Sequence, residues 1–490
     1  MSEMKSLAKD TAIYGLSSII GKFLNYLLVP FYTYQLACQA DYGIVTNLYA
    51  WTALLLALLT YGMETGFFRF ANRDDYNTKD VYRTAYCTLL ATSTFFALLV
   101  IAFQHPIANV LGYSDHPEFV AMMFAIVAVD AFACIPFAYL RQQKRPLTFA
   151  GLKLLFVLLN IGFNIFFFLG LGKTDVFYVF LSNMLATAVQ TLCLLPFTLP
   201  KGGKFSRPIL KDLLHYSLPL LILSVAGIMN QTFDRILFPY LYTEPDAQTQ
   251  LGIYGACFKV AMVMMMFTQA FRYAYEPYVF AKHKDRHSVE AYADAMKYYV
   301  IFMYLILLVV IFYLDIFKFI IAQDYWAGLK IVPVVLWTYV FQGIYFNLSF
   351  WYKLTDETKW GAYFSIIGLV ITLAIQIIGV PRIGYWASCG SSLVCYLVIM
   401  LLSYFIGQKK APIPYDLKRI GLYSLLTVVL LGVYYGSRYG LGLHMWQSMV
   451  IGTVLLGIYL VVLTRKDFPL SGLPVVGKYF KKQTHEQMTK

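Results

Sequence analysis

Glu118 to Leu140 reads EFVAMMFAIVAVDAFACIPFAYL, and RQQKR follows it at 141–145. Twenty-three residues at 1.5 Å each make a helix of about 35 Å, enough to cross a ~30 Å hydrocarbon core. After Glu118 at its start only Asp130 carries a charge; the Arg141, Lys144 and Arg145 that follow mark a return to water. Backbone amides in lipid must be satisfied within their own segment, so the stretch reads as a membrane-spanning helix.

The same pattern repeats along the 490 residues, which are 59% hydrophobic and 13% charged. Spans are expected at about 11–34, 43–67, 84–104, 118–140, 147–170, 176–199, 215–241, 251–280, 297–321, 329–352, 361–380, 385–407, 420–437 and 446–464. A soluble chain of this length needs a far more polar surface. A transmembrane barrel would show alternation in ~10-residue stretches, and none occurs. The fold class is therefore an all-α integral membrane protein with about fourteen transmembrane helices.

Lysine and arginine fix the expected orientation. The N-terminal segment, the even-numbered loops and the C-terminal tail hold 29 of them; the odd loops hold four, Lys173, Lys330, Arg382 and Arg438. The positive-inside rule puts the rich side, with both termini, in the cytoplasm, and a plasma (inner) membrane is the expected location. One span more or fewer would erase the asymmetry, so it supports the count too. The net charge of +13 is thus topology, and nucleic acid is not an expected partner.

The chain also repeats itself. Lys9-Asp10 with Tyr14 recurs as Lys211-Asp212 with Tyr216, offset by 202 residues. Pro30 with Gly43-Ile44 recurs as Pro239 with Gly252-Ile253, offset by 209. The difference of seven is close to two helical turns, which preserves facing. Each copy opens a six-span block, and Lys201-Gly202-Gly203-Lys204 joins them. The expected division is a six-helix lobe at 1–210, a second at 211–410, and two further helices with a cytoplasmic tail at 411–490. Transporters built from repeats hold substrate between them.

Charges inside spans cost about 2.5–3.5 kcal/mol on insertion scales, so they face a cavity or one another. Lys153 sits near a span end and can snorkel; Asp315 and Lys318, three apart, can pair; Glu64 lies near the inner end of span two. The opening spans of each repeat differ. Span one has Lys22 with Asn25 one turn on; span seven has Asn230, Gln231, Asp234 and Arg235; span eight has Lys259, Gln269, Arg272 and Glu276. Arg272 lies toward the cytoplasm, Lys22 near the midplane, and Arg235 and Lys259 toward the outside. Such a ladder of cations suits a large anionic group moving across. Internal ion pairs, Arg272 with Glu276 and Arg235 with a neighbouring acid, locking helices together, are the structural alternative. The expected substrate-binding set is Lys22, Asn25, Asn230, Asp234, Arg235, Lys259 and Arg272; Glu64, Asp130, Asp234 and Glu276 are the acids able to couple an ion.

Other chemistry finds no support. The seven cysteines are scattered without a CxxC pair, so neither a disulfide framework nor a metal cluster is expected. His283-Lys284-Asp285-Arg286-His287 spaces two histidines at i,i+4, but Lys284 replaces the glutamate of a zinc protease. No P-loop occurs, and no cofactor or catalytic residue is expected.

Leu7-Ala8-Lys9-Asp10-Thr11-Ala12-Ile13-Tyr14-Gly15, Pro30-Phe31-Tyr32-Thr33 and Tyr42-Gly43-Ile44-Val45 resemble the start of the polysaccharide transporter (Wzx-type) flippases. These belong to the MOP exporter superfamily, with MATE drug antiporters and peptidoglycan lipid flippases. Asp234-Arg235, Gly252-Ile253-Tyr254 and Lys259 resemble that family's second lobe. The resemblance implies a MATE-like pair of six-helix lobes plus two helices, moving an undecaprenyl-diphosphate-linked oligosaccharide to the periplasmic leaflet by alternating access, for O-antigen or related lipopolysaccharide assembly. It implies a cationic cavity, carried over to Lys22, Arg235, Lys259 and Arg272 alone. Span two lacks a mid-depth basic residue, so likeness to the peptidoglycan branch is weaker. The implied partners are the lipid-linked oligosaccharide, the phospholipid bilayer and polysaccharide-assembly proteins, with the chain a monomer. Two alternatives compete. A MATE-type drug/cation antiporter favours acidic cavities and twelve spans. A membrane polymerase or ligase needs a long outer loop, and the longest here, about 104–117, is too short.

Overall fold

The computed structural model describes Gly15 and residues 19–282, 288–355 and 357–467, without the side chains of Leu223, 273, 274 and 276–288. The described residues contain helices and no strand. In chain order the main helices are α1 (Leu28–Gln35), α2 (Gln39–Thr60), α3 (Met63–Ala71), α4 (Thr78–Ala102), α5 (Pro117–Gln142), α6 (Pro146–Ile165), α7 (Val176–Thr198), α8 (Arg207–Ile236), α9 (Ala247–Ala261), α10 (Val263–Lys282), α11 (Ser288–Phe312), α12 (Val332–Leu348), α13 (Lys359–Ile383), α14 (Tyr385–Lys410), α15 (Leu417–Tyr435) and α16 (Met445–Lys466).

Twelve described helical stretches are long and apolar enough to cross a membrane. A thirteenth is the pair Ala247–Ala261 and Val263–Arg272, bent by 46°. The first expected span begins outside the described residues. The stretch that opened the reading is α5, started by Pro117 at its first turn, where a missing N–H costs nothing. Large apolar side chains such as Phe95, Leu192, Leu425 and Val450 face outward, as a lipid solvent demands. The chain is a multi-pass membrane protein.

Two compact units divide it: Met1–Ala281 with Ile320–Ala411, and Lys282–Phe319 with Pro412–Lys490. In the second, α11, α15 and α16 are joined by Tyr459 donating to the Ile301 carbonyl and by Tyr304 bonded to Ser424. The Asp315–Lys318 pair forms at 3.3 Å, and Arg438, expected only as a loop cation, joins Asp315 at 2.6 Å.

Within the first unit the 209-residue repeat becomes a contact. A β-carbon on Gly43 would overlap the Gln248 carbonyl and come within 3.1 Å of the Gly252 nitrogen. One on Gly252 would overlap the Gln39 carbonyl and lie 3.0 Å from the Gly43 nitrogen. Gln39 and Gln248 are themselves 209 apart, so α2 and α9 cross reciprocally, as elements related by a local two-fold do. Only glycine lets the two backbones approach this closely. The segment Gln323–Ile331, a 3₁₀ helix, braces the crossing: Gln39 donates to the Asp324 carbonyl at 3.0 Å, and Tyr42 meets Tyr325 edge-on at 5.9 Å.

Helix α2 ends where Tyr61 (φ 33°) and Gly62 (φ 70°) turn left-handed, a conformation glycine adopts freely and tyrosine does not. This break starts α3 and sets Glu64 in its first turn.

Candidate functional site

Among the described residues of the first unit, one face of α2 serves two cavities. Tyr42, Val45, Thr46, Tyr49 and Ala53 line the smaller; Ala53, Leu56, Ala57 and Thr60 line the larger. Steps of three and four residues keep these side chains on one stripe.

The smaller cavity, about 230 Å³, is completed by Asn25, Leu28, Val29, Tyr32, Ala50, Thr232, Arg235 and Lys259. Three of the expected substrate-binding residues, Asn25, Arg235 and Lys259, therefore meet. Arg235 projects over the Phe258 ring at 5.1 Å, bonds Asp234 Oδ1 at 3.2 Å and donates to the Gln231 carbonyl. Lys259 has no acidic partner among the described residues, and lies within electrostatic range of Arg235. Asn25 accepts from Asn160 at 3.4 Å, and Asn164 donates to the Asn160 carbonyl at 2.8 Å. The sequence signal for these two α6 residues, asparagines at i,i+4 in an apolar span, passed unread.

The other expected residues lie elsewhere. The polar stripe of span seven splits by helical rotation. Gln231 and Arg235 share one direction; Asn230 and Asp234 are 5% and 2% exposed and do not line the cavity. Asn230 donates to the Ser365 carbonyl at 2.9 Å, and Asp234 accepts from Tyr254 at 2.6 Å. Beside them Ser388 donates to Gln376, which donates to Ser391. This network ties α8 to α9, α13 and α14, and such bonds satisfy a buried carboxylate. Lys22 donates to Gln269, and Arg272 on the next turn of α10 stacks over Phe346 at 4.7 Å. The ladder of four cations is thus two pairs, with Lys22 and Arg272 outside the lining of the smaller cavity. The Glu276 side chain, expected to pair with Arg272, and the histidines 283 and 287 lie outside the described residues.

The larger cavity, about 590 Å³, was missed as a unit. It gathers Glu64, Asp130, Arg141 and Lys153 with Thr60, Gln190 and Ser224 and the rings of Phe137, Phe149 and Phe156. Arg141 pairs with Glu64 at 2.5 Å, and Lys153 sits 3.9 Å over Phe137. Lys153 was expected to snorkel and Arg141 to lie in a loop; both line the cavity instead. The signal was present: Asp130, Cys134, Phe137 and Arg141 recur at i, i+4, i+7 and i+11, and Phe149, Lys153 and Phe156 at i, i+4 and i+7.

A family model described as "Polysaccharide biosynthesis protein" matches residues 7–281, and the MatE model matches residues 242–378. No curated protein matches this chain by sequence. Among solved structures, the lipid II flippase MurJ in an inward closed conformation superposes with a TM-score of 0.74 at 13% identity, covering 92% of this chain and 98% of that one. An inward-facing multidrug resistance MATE family transporter of the MOP superfamily gives 0.64 at 13% identity, covering 82% and 95%. Its outward-facing counterpart gives 0.58 at 14%, covering 85% and 96%. These likenesses establish the fold.

Proposed function

We propose that this chain, which belongs to the family of polysaccharide biosynthesis proteins, is a MOP-superfamily flippase for an undecaprenyl-diphosphate-linked oligosaccharide. In this reading the basic loops lie in the cytoplasm, and substrate passes from that leaflet to the opposite one for surface polysaccharide such as O-antigen. The observation that carries it is the smaller cavity, where Arg235 and Lys259 stand beside Asn25 and tyrosines. A diphosphate entering a membrane sheds water at a cost of several kcal/mol per charge unless it meets opposite charge and hydrogen-bond donors. A guanidinium and an ammonium answer both needs. Alternating access takes support from the glycine crossing of α2 and α9 next to Tyr42 and Val45 of the smaller cavity, with the larger cavity farther along α2.

The test uses purified protein in liposomes containing a fluorescent undecaprenyl diphosphate disaccharide, with transfer read by access of a membrane-impermeant glycosidase. Lys259→Ala is expected to slow transfer at least tenfold and Lys259→Arg to preserve it. In cells Lys259→Ala should abolish surface polysaccharide at unchanged protein abundance. Wild-type transfer by Lys259→Ala would overturn the reading.

A second reading, a drug/cation antiporter, is favoured by the MatE match and by Glu64 and Asp130 in the larger cavity. Efflux of a cationic dye from the same liposomes, unaffected by Lys259→Ala, would select it.

A further inference from the structure

The larger cavity is not needed to hold a diphosphate, and its chemistry differs. Its volume, about 590 Å³, lies within the ~300–1,000 Å³ of small-molecule sites and far exceeds what one ion or one water requires. Two acids and two bases make its ionisable set neutral overall, which gives it no preference for an anion. Asp130 makes no hydrogen bond or ion pair among the described residues while lining the cavity. Gln190 is held by its donation to the Leu152 carbonyl at 2.9 Å. Fixed acceptors and donors beside aromatic faces suit a ligand with many hydroxyls and apolar C–H faces.

The two cavities also share a wall. Ala53 belongs to both, on the α2 stripe that runs from Tyr42 to Thr60. Eighteen rises of 1.5 Å make that stripe roughly 27 Å long, so it leads from the surroundings of Arg235 and Lys259 to the larger space.

We infer that the larger cavity, bounded by α2, α3, α5, α6, α7 and α8, is the subsite for the sugar residues next to the diphosphate. Asp130, Lys153 and Gln190 bond the hydroxyls and Phe149 supplies an apolar face. This assignment rests on the flippase reading and adds where the head group lies. It makes affinity depend on the glycan as well as on the phosphates.

The experiment measures binding of purified protein in nanodiscs to undecaprenyl diphosphate, sugar-free or carrying a neutral hexose, an N-acetylhexosamine or a hexuronic acid. Wild type is expected to bind at least one sugar-bearing lipid tenfold more tightly than the sugar-free one. Ala57→Trp, which fills the cavity from the α2 stripe, should bring that ratio to about one and leave sugar-free binding unchanged. Asp130→Ala, which adds no bulk, should lower the ratio at least threefold and guards against misfolding of the tryptophan variant. An unchanged ratio in both folded variants, equal loss of both lipids, or no sugar preference anywhere in the panel would overturn the subsite. If Asp130→Ala abolishes a Na⁺ or pH dependence and spares the ratio, the carboxylate serves ion coupling and the sugar assignment falls. Failure of wild type to bind even the sugar-free lipid would sink the flippase reading itself.

Discussion

Replacing Gly252 with leucine should unlock the crossing of α2 and α9. A β-carbon there overlaps the Gln39 carbonyl, and the reciprocal position Gly43 faces Gln248 in the same way. Restoring ordinary contact distances of ~3.5 Å requires the two helices to part by on the order of 1 Å. Overpacking of this kind costs about 1–3 kcal/mol, and it falls only on the conformation in which the helices touch. A coupling of that size moves a two-state equilibrium about 5- to 150-fold. The assay is a spin-label distance between Ala37 and Thr243, in a cysteine-free background reconstituted in lipid. Wild type should show a predominantly short distance, and Gly252→Leu a longer population. Gly43→Leu should do the same. The double variant should add little, because once the crossing is open the second side chain meets no obstacle. Transport should fall in all three, because the variants disfavour the conformation in which α2 and α9 touch. An unchanged distance distribution in folded Gly252→Leu would refute the reasoning.

Other outcomes follow from the same contacts. Tyr254→Phe removes the donor to buried Asp234, which should lower stability by about 1.5–3 kcal/mol, seen as a lower midpoint in thermal unfolding in detergent. Arg141→Glu should reduce transport by juxtaposing two carboxylates with Glu64, and adding Glu64→Arg should restore it. Both side chains are partly exposed, so the loss of stability should stay within about 1 kcal/mol. Asp315→Asn leaves Lys318 and Arg438 facing each other in the second unit and should lower its thermal midpoint while sparing lipid binding.

The sequence alone determined the membrane architecture, because lipid imposes rules that act on short segments. Runs such as 118–140 must be helical, and Lys and Arg must gather in alternate loops. The pairing of Asp315 with Lys318 was equally local, three residues apart on one helix. The repeat at Gly43 and Gly252 was visible as a coincidence of spacing, yet only the folded chain turned it into a helix crossing. Helical spacing put Asp130, Phe137 and Arg141 on one face, but what that face meets was decided by packing. Asn230 and Arg235 both looked like intramembrane polar residues, but helical rotation sends one to the Ser365 carbonyl and the other into the cavity. Likewise Lys153 sits near a span end, and only the approach of α2 and α5 shows that it faces a cavity with Asp130 rather than the headgroups. Hydrophobicity and charge decide locally where a segment lies in the bilayer. Which residues face one another depends on how distant helices pack, and that is settled by tertiary structure.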